Sequence, residues 1–210
     1  MSKILYIKAS PRTGRSYSIA VAEAFIDAYR EANPGDTITT IDIFQKDLPN
    51  FDLEAVTAKY KIMHGEEHSD QDIKVWAKVE AIIDEFKAAD KYVLAVPMWN
   101  FSIPYRLKQY IDIIVQPGYT FTVDDEGKYQ GLIKGKPVFI AYASGGEYTK
   151  DEGSSTYDMQ KSYLELILGF MGLTDIRKVI VEPTLGAGAE VARQKKEQAI
   201  KKAKGMAGSF

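Results

Sequence analysis

A chain of 210 residues suits one α/β domain, or at most two small ones, and its 45% hydrophobic and 27% charged content allows a sizeable core. A net charge of -2, with lysines spread among acids, offers no basic stripe for nucleic acid. The absence of cysteine excludes disulfides, thiolate nucleophiles and thiolate metal sites together.

The apolar run at the N-terminus is too short for a signal peptide, and no stretch approaches the ~18 apolar residues of a membrane span. A cytoplasmic protein is expected. Ile4–Ile7 reads as a short buried strand, closed by Ala9-Ser10-Pro11. From Ser16 onward Ile19, Ala22, Ile26 and Tyr29 recur at helical spacing, until Asn33-Pro34-Gly35 stops that helix. Thr37–Ile43 is rich in β-branched residues and reads as a second strand. Beyond the turn at Leu48-Pro49-Asn50 a polar, irregular helical region runs to about Asp70. Asp72–Ala89 is a strong helix with Ile73, Trp76, Val79, Ile83 and Phe86 on one face. Tyr92–Val96 is a third strand ending at Pro97, and Leu107, Ile111 and Ile114 place a helix after Pro104.

Thr120–Gly135 reads as a hairpin or loop excursion with Asp125-Glu126-Gly127 at its tip. Pro137–Ala143 is a fourth strand running into Ser144-Gly145-Gly146. Tyr157–Met171 is helical, Thr174–Val181 is a fifth strand, and Ala189–Lys204 closes the pattern as a charged amphipathic helix. With no linker, repeat or low-complexity run, residues 1–210 read as a single domain. Strands alternating with helices demand parallel crossovers, hence a doubly wound sheet with helices on both faces.

Ligands of such sheets bind beyond the carboxyl ends of the strands, near the switch in strand order. Three segments with unusual chemistry fall there. The first is the loop Ser10–Ser18, where a strand runs into a helix N-terminus. Ser10, Thr13, Ser16 and Ser18 add hydroxyls, and Arg12 and Arg15 add charge, to the free N–H groups of the helix start. For any single hydroxyl an ordinary N-cap is the plainer reading, but the cluster as a whole favours a phosphate site. It is not a P-loop, since no earlier glycine precedes Gly14 at the required spacing and no lysine follows. Gly186-Ala187-Gly188 lacks the third glycine of a dinucleotide fingerprint and reads as the glycine-rich start of a helix.

The second segment, Pro97-Met98-Trp99-Asn100-Phe101, sets large apolar side chains on a strand-to-helix loop, where polar residues are expected. They could cover a flat aromatic ligand, or pack the loop itself. In the third, Ala143-Ser144-Gly145-Gly146, consecutive glycines let backbone N–H groups approach a ligand, such as a ring that becomes anionic on reduction. A bare Gly-Gly turn explains the same residues.

Taken in order, these segments resemble the FMN-dependent NADH-azoreductases, flavodoxin-like quinone reductases. The likeness rests on Ser10 with Ser16-Tyr17-Ser18, Met98-Trp99-Asn100-Phe101, Ser144-Gly145-Gly146, the Ser10-Pro11-Arg12 start and the stretch Leu168–Ile176. It implies a flavodoxin-like sheet in the order 2-1-3-4-5 and a homodimer with FMN at the subunit boundary. By the same likeness Ser10, Arg12 and Ser16–Ser18 hold the FMN phosphate, Pro97–Phe101 pack along the isoalloxazine, and Ala143–Gly146 face its pyrimidine edge. NADH or NADPH would reduce the flavin, which would then reduce a quinone or azo compound in a ping-pong cycle. The family commonly has Ser-Arg where this chain has Ala143-Ser144, so any contact of that arginine is missing here. It often has Tyr where Trp99 stands, which keeps an aromatic face. No acid–base residue stands out, as expected where the cofactor carries the chemistry.

Other readings are weighed against this one. His64-Gly65-Glu66-Glu67-His68 fits H-x-x-E-H, a zinc-hydrolase pattern, although Gly65 weakens the helix it requires. A cofactor-free signalling module or electron carrier shares the fold, but carriers are usually acidic, and a phospho-acceptor needs aspartates after the first strand. A general quinone, nitro or flavin reductase with little azo activity is the nearest alternative. Phe121 and Tyr129 either line the site or pack the hairpin.

Overall fold

The computed structural model describes residues 1–149 and 152–210. In chain order the elements are β1 (Lys3–Lys8), a 3-10 turn (Thr13–Arg15), α1 (Tyr17–Ala32), β2 (Thr37–Asp42), α2 (Leu53–His64) and α3 (Asp70–Lys87). There follow β3 (Lys91–Pro97), α4 (Tyr105–Ile114), β4 (Phe121–Val123), β5 (Tyr129–Gly131) and β6 (Val138–Ala143). The chain closes with α5 (Glu152–Ser155), α6 (Met159–Met171), β7 (Ile176–Val181) and α7 (Ala189–Ala207).

β1, β3 and β6 are buried almost throughout, because a central parallel strand is covered on both faces and has no position for a polar side chain. The main sheet runs β2-β1-β3-β6-β7 with every pairing parallel, which is 2-1-3-4-5 counted over the principal strands alone. Alternate residues of one strand feed two cores. Leu5 and Ile7 meet Trp76, Val79, Ile83, Phe86, Leu107 and Leu164 from α3, α4 and α6. Ile4 and Tyr6 meet Ile19, Phe25 and Tyr29 of α1 and the small residues Ala199 and Ala203 of α7. Phe25 and Phe139 stack with ring centroids 3.8 Å apart at the centre of that second core. This is the flavodoxin-like architecture expected.

The excursion at 120–135 is an antiparallel hairpin, β4 paired with β5. Four expectations are corrected. The connector before Asp70 is not irregular: α2 is a regular helix, set by Asp52 accepting from the Glu54 and Ala55 N–H groups and by Gly65 in left-handed conformation (φ 67°). Ile73 is exposed rather than on the core face of α3. Its place in the first turn is taken by Asp72, which turns inward to close a capping box with Ser69. Pro104 is the N-cap of α4 rather than a residue of its first turn. Tyr157 precedes α6, which Asp158 starts by accepting from Lys161 N.

The same caps dispose of the histidine pair. His64 is the last residue of α2 and Gly65 reverses the chain, so His68 lies beyond the helix and the two rings share no helical face. The connector is held by charge. The Asp72 carboxylate accepts from Ser69 N and Oγ at 2.8 Å and from Lys61 Nζ at 3.0 Å. The Ser69 backbone bond and the Lys61 and Ser69 side chains lower its pKa from 3.8 to about 2. A depressed carboxylate contributes stability above its unfolded pKa and loses it as pH falls through the folded value. Stability is therefore expected to decline between pH 3.8 and about 2. Asp72→Asn should flatten that limb of a urea-midpoint against pH curve and lower the plateau above it.

Candidate functional site at the carboxyl edge of the sheet

The three segments singled out by sequence lie side by side because the strands that precede them are neighbours. The ladder extends past the strand ends to bind each loop to the next. Ala9 N donates to Ala95 O at 3.0 Å, Met98 N to Ala143 O at 2.7 Å, and Ser144 N to Val181 O at 3.2 Å. β1 stands between β2 and β3, so the first two loops flank the point where strand order reverses.

In the first loop Ser10, Ser16 and Ser18 are buried while Arg12 to Arg15 are exposed. Ser10 Oγ accepts from Arg12 N at 3.4 Å, and no acceptor for its proton occurs among the described residues. Ser16 is the N-cap of α1, accepting from Ile19 N at 3.4 Å. Its Oγ lies 3.2 Å from Ser18 Oγ, which is closed to solvent. Donation from Ser18 to Ser16 leaves the Ser16 proton free to point outward, beside the Tyr17 and Ser18 N–H groups that precede the first intrahelical bond. Tyr17 is half-buried against the α1 core. This donor set fits an anion.

The second loop is a tight reversal in which Trp99 and Ser102 exchange hydrogen bonds of 2.8 and 2.9 Å. Asn100 (φ 47°) and Phe101 (φ 67°) between them are left-handed. With Thr13 (φ 45°) they are the positive-φ residues other than glycine among those described, and all three lie in these loops. Strain so concentrated is a mark of functional loops. Pro97 ends β3 opposite Ala143, and Met98 and Trp99 are half-buried. Trp99 faces Phe44 at 5.7 Å and Tyr105 at 6.3 Å, and Phe101 faces Tyr148 at 6.2 Å and Tyr157 at 5.4 Å. A cleft of about 420 Å³ opens beside Trp99, Asn100, Ile103, Tyr105 and Tyr163.

The third loop is fastened by the segment after β7. The Ser144 carbonyl accepts from Thr184 N and Oγ1, and the Gly145 carbonyl accepts from Leu185 N and Gly186 N. The N–H groups of Gly145 and Gly146 find no acceptor among the described residues. A Cβ on Gly145 would stand 3.2 Å from the Leu185 side chain, and one on Gly146 would stand 3.1 Å from the Tyr148 ring, so both glycines pack closely against their neighbours. Carbonyls turned inward and amides left open suit an acceptor-rich ring edge.

Sequence reasoning missed several neighbours. Phe44 reaches Trp99 because Arg106 of α4 donates to the Ile43 and Lys46 carbonyls at 2.9 and 2.6 Å, which pins that loop. Buried Gln160 donates to the Val96 carbonyl at 3.0 Å, just before Pro97. Neither pairing leaves a sequence signal, since each spans about sixty residues. Phe121 and Tyr129 pack on Phe170 at 4.8 and 5.3 Å. That is the C-terminal end of α6, at the sheet edge opposite the three loops of the same chain.

Comparison with known proteins gives this arrangement its family. A model of the flavodoxin-like fold matches residues 2–205, and the chain belongs to that family. It is 52% identical over its whole length, and the whole of the other's, to an FMN-dependent NADH:quinone oxidoreductase of Nitratidesulfovibrio vulgaris. It is 46% identical over 193 residues to one of Desulfotalea psychrophila, covering 92% of this chain and 91% of the other. An FMN-dependent NADH-azoreductase of Bacillus anthracis, solved in complex with FMN, superposes with a TM-score of 0.87 at 31% identity, over 99% of this chain and all of the other.

The reversal at Asn100 is where backbone and site meet. Asn100→Gly is expected to keep stability within about 0.5 kcal/mol, whereas Asn100→Val, β-branched at positive φ, should cost about 1–2 kcal/mol. Urea unfolding of the two variants checks this.

Proposed function

We propose that this chain is an FMN-dependent oxidoreductase that passes electrons from NADH to quinones and aromatic azo compounds, cleaving azo bonds to amines. The observation that carries the reading is the set of open donors along one sheet edge: the Ser10 and Ser16 hydroxyls at one end, the Gly145 and Gly146 amides at the other, with Trp99 and Phe101 between. A phosphate, a flat ring and an electron-rich ring edge require such donors in that order. Full-length identity to quinone oxidoreductases and likeness to azoreductase structures support the same activity.

In this reading Ser10, Arg12, Ser16, Tyr17 and Ser18 hold the phosphate, with Ser18 acting through Ser16. Pro97, Met98, Trp99, Asn100 and Phe101 lie along the ring, and Ala143, Ser144, Gly145 and Gly146 meet its pyrimidine edge. Bound FMN supplies the two-electron chemistry; the protein binds it, aims it and keeps one face accessible. At the glycine pair this chain offers backbone donors.

The working form is a homodimer with FMN near the boundary. Tyr105 at the cleft stands exposed, as do Tyr157 and, on α6, Met159 and Leu166. A second cleft of about 620 Å³ continues past Tyr105 and Tyr163 to Ile167, between α4 and α6. A surface patch of this kind marks an interface. The chain acts in the cytoplasm as one domain; no helix among the described residues is long and apolar enough to cross a membrane.

Purified protein supplied with FMN is expected to show bound-flavin absorption, bleached by NADH without air and restored by added quinone. Protein that takes up no FMN would refute the reading. Ser16→Asp keeps a strong N-cap but opposes a phosphate, so it should fold as stably as the wild type while losing at least about tenfold in FMN affinity. Ser16→Ala instead should cost about 1 kcal/mol of stability. Sedimentation is expected to give twice the mass of one chain, and Leu166→Glu, which puts a charge at an exposed apolar position of α6, should shift it toward the single-chain mass.

A further inference from the structure

A buried carboxylate stands directly behind the glycine pair. Glu182, the residue after β7, is 5% exposed and its carboxylate grips the third loop from behind. Ser144 Oγ shares its one proton between Glu182 Oε2 and the Gly146 carbonyl, each at 3.0 Å, and Oε1 accepts from Thr149 N at 2.9 Å and from Thr149 Oγ1. These bonds tie the two ends of the 144–149 turn to one rigid point at the end of a strand. Lys161 Nζ, paired with Asp158, stands 3.8 Å from Oε2, so one ammonium faces both carboxylates at this buried spot.

The bonds are placed to orient rather than to touch a ligand. Ser144 and Thr149 flank the glycine pair, and the backbone carbonyls here are already held: Ser144 by Thr184, Gly145 by Leu185 and Gly186, and Gly146 by the Ser144 hydroxyl. Fixing both ends of the turn and one face of its backbone leaves the Gly145 and Gly146 N–H groups a single direction, outward. A buried carboxylate accepting several bonds is among the stronger anchors a loop can have.

We infer that Glu182 is a positioning residue for the flavin edge: through Ser144 and Thr149 it aims the Gly145 and Gly146 amides at the ring, and so favours the reduced, more anionic cofactor. The inference rests on the reading that FMN occupies this edge. It predicts an effect on electron affinity whose sign is opposite to that of simple charge. Removing a nearby negative charge would by itself favour reduced flavin, whereas loosening aimed donors disfavours it.

The test measures FMN dissociation constant and midpoint potential for wild type, Glu182→Gln and Thr149→Val, with amide hydrogen exchange of the apo proteins. Thr149→Val removes one bond to Glu182 without changing charge, so it serves even if Glu182→Gln fails to fold. Both variants are expected to weaken FMN binding, Glu182→Gln by about tenfold or more. Both should lower the potential and speed exchange at residues 143–149 more than elsewhere. An unchanged or raised potential in the folded variants, with wild-type affinity for FMN, overturns the inference and leaves the cofactor reading intact. Failure of the wild type to take up FMN overturns both.

Discussion

Everything at the candidate site depends on the parallel ladder continuing one step beyond the strands. The three bonds Ala9 N to Ala95 O, Met98 N to Ala143 O and Ser144 N to Val181 O are ordinary sheet bonds made by residues that have already left their strands. They cost nothing special, because the register that places them is fixed by burial on both faces of β1, β3 and β6. A slip of one residue in any of these strands would turn its core side chains from one packed layer into the other. The loops inherit that precision. Three segments separated by some eighty and then forty positions in sequence are thereby held in one row.

With the row fixed, the loops can carry conformations that an isolated peptide would reject. Thr13, Asn100 and Phe101 adopt positive φ, each at a cost of order 1 kcal/mol or more. The surrounding bonds over-determine them: Trp99 and Ser102 clamp the reversal, and Arg15 N to Arg12 O and Ser16 N to Thr13 O clamp the 3-10 turn. The second and third loops also meet through Phe101 and Tyr148. Rigidity of this kind suits a protein that aims donors and ring faces and leaves bond-making to a bound group.

How far the sequence reveals this follows from the range of each interaction. β1, β3 and β6 are legible as apolar runs, and α1 as a capped amphipathic helix, because periodicity and caps are local. The three site loops are legible because they put hydroxyls, aromatics and glycines where connectors are usually plain. α2 is not legible by its apolar face, since it buries only Ala55 and Ala58 among its residues. Its signals are Asp52 and Gly65, one at each end. Ile73 misleads for a related reason: it falls within the periodic pattern, but the first turn of α3 is governed by the Ser69–Asp72 cap rather than by packing. Phe44, Gln160 and Glu182 carry no local mark at all, for each is placed by a partner that only the folded sheet brings near.

The polar groups behind the loops explain why the site needs so few charged residues facing outward. Gln160 holds the Val96 carbonyl, Arg106 holds the Ile43 and Lys46 carbonyls, and Glu182 holds the ends of the glycine turn. Each satisfies backbone groups that a loop leaving a sheet would otherwise bury unpaired. Each also removes one direction in which the loop could relax. What remains open among the described residues is the Ser10 and Ser16 hydroxyls, the first amides of α1 and the Gly145 and Gly146 amides, while the Ser144 and Gly145 carbonyls beside them are engaged. On this edge, the groups left open define the shape and polarity of what binds.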